Sequence, residues 1–277
     1  MDKRKLTVWL GLGGYLLASV SPLAVTAAPA PGGPAIDGPG DWIVIADSSG
    51  GDEGGEGGEG GEGGAEATLA TDDTAYLTQL DLIQGHLAVG IALYRRGAMD
   101  AAMPHMMHPG EELYDALAPA LAARGRAGFK ADLKRLAGLV RRGAALAEVE
   151  SALAQVRAAI DAAEAGTGDV PTRLKEVVRL VRTAAEEYAV GVQDGRVVNG
   201  HEYQDALGFV RVARRIVDAM APDSRPGLGA ALTKIKAQFD AIAPAWPSVV
   251  PPETVTTDAA MIFVAAAYME IAALGVK

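Results

Sequence analysis

Beyond residue 73, apolar residues recur at three- and four-residue steps, and no other feature restricts the fold as much. Leu80, Ile83, Leu87, Ile91 and Tyr94 share one face of a helix predicted over 74–96. Leu174, Val177, Val178, Val181 and Ala185 repeat the pattern over 171–192. Tyr203, Ala206, Val210, Ala213, Val217 and Met220 repeat it over 201–221. Asp72 or Asp73 is placed to cap the first helix, and Asp100 a short one through Met107 with Pro104 in its first turn. His108 then precedes Pro109, a favoured first helical residue, and Pro109-Gly110 predicts a break before a third helix that ends near Ala123. Further helices are expected over 128–142, 145–165, 227–242 and 258–274. Dense β-branched runs are absent. The expectation is all-α, an up-and-down bundle of about seven to eight helices.

The chain upstream has another character. Residues 2–5 (DKRK) are basic, Leu6 to Val25 are mostly apolar, and Val25 and Ala27 suit a small-residue cleavage site. Residues 1–27 therefore read as a signal peptide, with an uncleaved anchor as the alternative, and the protein is expected to be periplasmic or secreted. Residues 28–71 read as a disordered Pro/Gly/Glu-rich linker containing a short apolar island, Trp42-Ile43-Val44-Ile45, and a repeat of Glu-Gly-Gly starting at Glu53, Glu56, Glu59 and Glu62. Residues 72–277 are the expected helical bundle domain.

Charge and cysteine usage exclude several functions. The net charge is −10, and residues 41–75 hold ten acids and no base, so the acidity lies in the linker. No basic patch with interleaved aromatics exists, which argues against nucleic acid as a partner. The absence of cysteine removes thiolate metal sites, disulfides and cysteine nucleophiles. After signal cleavage no segment is expected to span a membrane. Tyr268 and Glu270 interrupt the apolar last helix, which reads as a core helix. Neither G-x-S-x-G, H-E-x-x-H nor a phosphate-cradling glycine loop is present in the body of the chain, so hydrolase chemistry finds little support.

The chemistry-bearing residues concentrate between Gly85 and Tyr114. Three of the four histidines lie there, His86, His105 and His108, with Met99, Met103, Met106 and Met107. His86 borders the apolar face of the first helix, and Gly90 one turn later leaves space for a neighbouring helix or a ligand. His105 and His108 are three apart, so on one helix their rings face the same way. Glu111 and Glu112 follow. Imidazole with carboxylate suits iron, zinc, manganese or copper(II). The metal-free alternative makes His86 a core histidine, and His108, Glu111 and Glu112 the start of a helix.

A site here needs a further carboxylate from elsewhere, and Glu202, flanking the stripe of the 201–221 helix, is the best placed. His201 reads as a surface residue at that helix start, and Asp205 as an ordinary acid of its opening. The candidate metal ligands are thus His86, His105, His108, Glu111, Glu112 and Glu202. The metal is expected to be iron, with zinc or copper as alternatives. The Met/His cluster offers a separate copper(I) reading.

His108-Pro109-Gly110-Glu111, in an exported cysteine-free helical bundle, resembles the His-x-x-Glu motif of the imelysin-like periplasmic proteins of bacterial iron uptake. Met106 stands where that family prefers glycine. The resemblance implies metal binding through His108 and Glu111, and implies a membrane-bound transporter or another envelope protein as partner. The alternative class is a metal-free helical scaffold or protein-interaction module.

Overall fold

The computed structural model describes residues 68–220 and 225–276. The expected signal peptide and nearly all of the expected linker lie outside the described residues. Residues 68–71 are already helical, upstream of the expected boundary at 72, and Leu69 is buried.

Nine α-helices form the bundle among the described residues. They are α1 (Asp73–Tyr94), α2 (Met99–His108), α3 (Tyr114–Ala123), α4 (Lys130–Arg141), α5 (Leu146–Glu164), α6 (Val170–Gly191), α7 (Gly200–Ala219), α8 (Leu228–Ile242) and α9 (Ala259–Ala273). The all-α expectation holds. A minimal antiparallel pair, β1 (Val192–Gln193) and β2 (Arg196–Val197), links α6 to α7. Its turn residues Asp194 and Gly195 both have positive φ, 50° and 71°, as a tight two-residue hairpin requires.

Asp72 caps α1, its side chain accepting from the Thr74 and Ala75 amides at 2.7 and 3.2 Å. The apolar stripe of α1 is wider than its spacing predicts, because Leu77, Val89 and Leu93 are buried as well. A helix buried on most sides is an interior helix. Accordingly α1 packs on α6 and α7 along one flank and on α2 and α5 along another. The helices α6 to α9 form a continuous packed unit, with α6 against α7 and α9, and α9 against α8. Among the described residues no helix is long and apolar enough to cross a membrane. One face of α9 is core (Ile262, Ala265, Ala266, Met269, Ala272), while Met261, Val264, Tyr268 and Ile271 are exposed.

Two expectations at α2 are corrected. Asp100 does not cap it: the helix starts at Met99 without a side-chain cap. Nor do Pro109 and Gly110 end it. Pro109 keeps helical angles (φ −54°, ψ −36°), and Pro109–Leu113 form a π turn closed by the Tyr114 amide on the Pro109 carbonyl. Proline's fixed φ is compatible with a helix, and the wider π turn carries the chain into α3. His108 makes no side-chain capping bond.

Two glycines set the crossing of α1 and α7. A Cβ on Gly208 would lie 2.3 Å from the Gly85 carbonyl oxygen, and one on Gly85 would lie 2.4 Å from Phe209 Cδ1. Only hydrogen fits at either position, so the two backbones approach closely. Gly85 precedes His86, and Gly208 is one turn beyond Asp205. The contact that closes the bundle therefore brings those two side chains together.

Elsewhere α1 carries a buried polar knot. Gln84 Nε2 donates to Asp81 Oδ1 at 2.8 Å and to Glu164 Oε1 at 3.0 Å, and Arg173 pairs with Glu176 at 3.0 Å and with Glu164 at 3.3 Å.

Candidate metal centre

Three histidines converge on Asp205, with His108 beside their rings. His86 comes from α1, His105 and His108 from α2, and His201 with Asp205 from α7. His86 Nδ1 and His105 Nδ1 lie 2.7 and 2.8 Å from one oxygen, Asp205 Oδ1, while His201 Nδ1 lies 3.5 Å from Oδ2. The His105 and His201 rings stack at 4.2 Å, and His108 stands edge-on to His201 at 4.7 Å and to His86 at 6.1 Å. His86, His105 and Asp205 are buried, and His201 is partly so.

Each position has a local cause. Along α1, His86 sits between the glycine contact and Phe209, whose ring meets its own edge-on at 5.2 Å. The space beside Gly90 is taken by α2: a Cβ there would lie 3.0 Å from Met106 Cε. Met106 thereby sets the distance from α1 to the helix bearing His105. The α7 start is held by Asn199, whose side chain accepts from the His201 amide at 3.0 Å. The proline-rich segment after α8 closes over that end. Trp246 Nε1 donates to the Tyr203 carbonyl at 3.0 Å, and Gln204 Nε2 donates to the Val249 carbonyl at 3.0 Å.

The second of those bonds orients Gln204 toward the histidines. With its amide nitrogen on Val249, its oxygen faces His105 Nε2 at 2.9 Å. Both His105 nitrogens thus face acceptors, Asp205 and Gln204. For His105 to bind a metal, one of these partners must give way.

Burial alone would push the Asp205 carboxyl up, but the His86 and His105 imidazoles beside it outweigh that and hold it well below the usual carboxylate range. Burial pushes His201 down to about 4, Asp205 opposing and the three other histidines reinforcing the shift. His201 is therefore neutral near pH 7, the form in which imidazole ligates metals. Burial first, and then the neighbouring Glu202 carboxyl, pushes Glu187 of α6 up to about 8.

Two groups of side chains have the spacing to hold a cation. Ligand atoms of His86, His105 and Asp205 lie within 4.8 Å of one another, and so do those of His201, Glu202 and Asp205. Two buried nitrogens, His86 Nδ1 and His201 Nε2, have no hydrogen-bond partner. For His86 this holds despite the nearby Asp205 oxygen, which lies off the line of the ring N–H. Unfilled nitrogens, neutral His201 and an ionised carboxylate fit a transition-metal ion with nitrogen and oxygen ligands. A shallow, open pocket of about 440 Å³ lies over the cluster, bounded by Pro104, His108, His201, Gln204 and Pro251.

The sequence candidates fare differently. His86 and His105 enter the first group and Glu202 the second. His108 lies at the pocket rim, its Nε2 3.9 Å from Glu112 Oε1 on the solvent side. Glu111 is exposed and lines a different pocket, against Leu133, Lys134 and Arg141 of α4. Met107 lines that same pocket, and Met106 is core. Asp205, the residue common to both groups, was passed over in the sequence, and His201 was discounted as a surface residue. Their four-residue spacing, which puts both on one face of α7, was the available signal.

Residues 168–271 match the family model of the iron permease-associated 4-helix bundle domain. The match spans α6 to α9, and so contains Glu187, His201, Glu202 and Asp205. His86, His105 and His108 lie outside it, on the helices that α1 joins to the unit. The matching family is not the imelysin-like one, and the matched stretch does not include the His-x-x-Glu motif. No curated protein and no solved structure matches the chain.

Proposed function

We propose that this chain is an exported metal-binding protein of iron uptake, which holds a transition-metal ion at the His86/His105/Asp205 cluster and works beside a membrane-bound iron permease. The observation that carries the reading is the meeting of imidazoles from three helices at one buried carboxylate. A histidine needed only for packing has no reason to share an acceptor with a second one, and His86 gains no formed hydrogen bond there. Imidazole and carboxylate suit iron, zinc and copper(II) alike. Iron is preferred because the helices supplying Asp205 and Glu202 match a domain associated with an iron permease. The basic start and apolar stretch before residue 28 support export to the periplasm or beyond.

The test is elemental analysis of the full chain purified from the exported fraction, beside a His86→Ala/His105→Ala variant shown to be helical by circular dichroism. Wild type is expected to carry iron and the variant to lose it. Equal metal content in both sinks the site. Absence of the chain from the exported fraction sinks the localisation.

A second reading, a metal-free interaction module, draws on the exposed apolar residues of α9 and on the engaged nitrogens of His105. It predicts a wild-type protein that carries no transition metal and gains no stability when iron is added.

A further inference from the structure

Asp205 belongs to both ligand groups, through different oxygens. Oδ1 faces His86 and His105 at 2.7 and 2.8 Å, and Oδ2 faces His201 at 3.5 Å. Glu202 completes the second group, its carboxylate within 4.8 Å of the His201 and Asp205 ligand atoms. A carboxylate whose two oxygens serve two ligand groups is the geometry of a bridge, and bridged ions lie about 3.5–4 Å apart in two-metal sites.

His201, the imidazole of this second group, also has a buried nitrogen, Nε2, without a partner.

We infer that the cluster is a two-metal centre in which Asp205 bridges an ion held by His86 and His105 to a second ion held by His201 and Glu202. This rests on the metal-binding reading above. The first ion sits on the α1–α2 side, which lies outside the matched domain. The second is bound wholly by α7, within it. The centre therefore forms only when the two parts of the bundle are packed together.

Anaerobic equilibrium dialysis of the full chain against Fe(II), with millimolar Mg(II) to occupy the acidic stretch before residue 68, measures the ratio directly. Two ions per chain are expected. Glu202→Gln and His201→Ala should each leave one, as should His86→Ala/His105→Ala. A ratio of one in wild type overturns the two-metal centre and leaves the metal-binding reading standing, while a ratio of zero overturns both. Retention of two ions by both Glu202→Gln and His201→Ala overturns the assigned second pocket. Mn(II) loaded at two per chain should give the spectrum of an exchange-coupled pair by electron paramagnetic resonance. Two isolated six-line signals would overturn the bridge.

Discussion

His105 and Asp205, one hundred residues apart in the chain, meet through Nδ1 and Oδ1 at 2.8 Å with both side chains buried. No local motif contains them both. The pair exists because α2 and α7 both pack on α1. Asp205 is the hinge of the site's chemistry, since both ligand groups include it.

Asp205→Asn keeps the shape and removes the charge. The variant should lose more metal affinity than the 10–100-fold that typically follows loss of an outer partner, because Asp205 is itself a ligand in this reading. Competition with a chelator of known affinity measures the change. An unaltered dissociation constant would remove Asp205 from the site.

Metal should also stabilise the fold, because the ligands come from separate helices and are together only in the native state. At about 100 times the dissociation constant the linkage amounts to about 2.7 kcal/mol, or roughly 5–10 °C in Tm for a domain of this size. Differential scanning fluorimetry with and without Fe(II), followed by chelator, reads this. A Tm indifferent to both additions contradicts a native-state site.

Gly208→Ala tests whether the close helix crossing positions the ligands. The added methyl would sit 2.3 Å from the Gly85 carbonyl oxygen, so α1 and α7 must separate. The expected cost is about 1–3 kcal/mol, the range for overpacking a tight contact. Metal affinity should fall with it, since His86 follows Gly85 in sequence. Gly229→Ala, in α8 with nothing within 4 Å, is the control and should leave affinity unchanged and stability equal or raised by up to about 1 kcal/mol. If Gly208→Ala alters stability without affinity, the glycine contact is structural only.

Much of the fold was legible from spacing, because most helices here bury one stripe and are bounded by turn residues. The predicted stripe over 201–221 is buried from Tyr203 through Val217 as α7, and Asp72 caps α1 as expected. The site was legible in part. His86 and His105 were singled out by clustering, and Glu202 by its place beside the stripe. Asp205 escaped because an acid in the opening turns of a helix is ordinary, and its burial depends on α1 arriving at Gly208. Pro109 misled for a related reason: proline usually marks a boundary, and the π turn that absorbs it here has no sequence signature of its own. Glu111 was singled out by its three-residue spacing from His108, and the helix continued through a π turn sets it against α4 instead.

Glu176 offers a prediction independent of the metal. Burial first, then a hydrogen bond and charge repulsion from Asp81, push it up to about 11, so it holds its proton in the folded protein at neutral pH. Arg173 faces it from its own helix, Asp81 from α1 and Glu164 from α5, the last pushed up to about 7 by burial and by Asp81. In the unfolded chain Glu176 loses its proton near 4.5. Between about 4.5 and 11 the native state therefore binds the extra proton, and this group's contribution to stability falls as pH rises through that window. Glu176→Gln keeps a donor toward Asp81 and has no proton to lose. It should match wild type near pH 4.5 and gain on it as pH rises to 8, by at most about 1.4 kcal/mol per pH unit. The slope remaining between pH 4.5 and about 7 would then belong to Glu164. Urea unfolding at a series of pH values measures both profiles, and parallel curves for the two proteins would refute the assignment of the proton to Glu176.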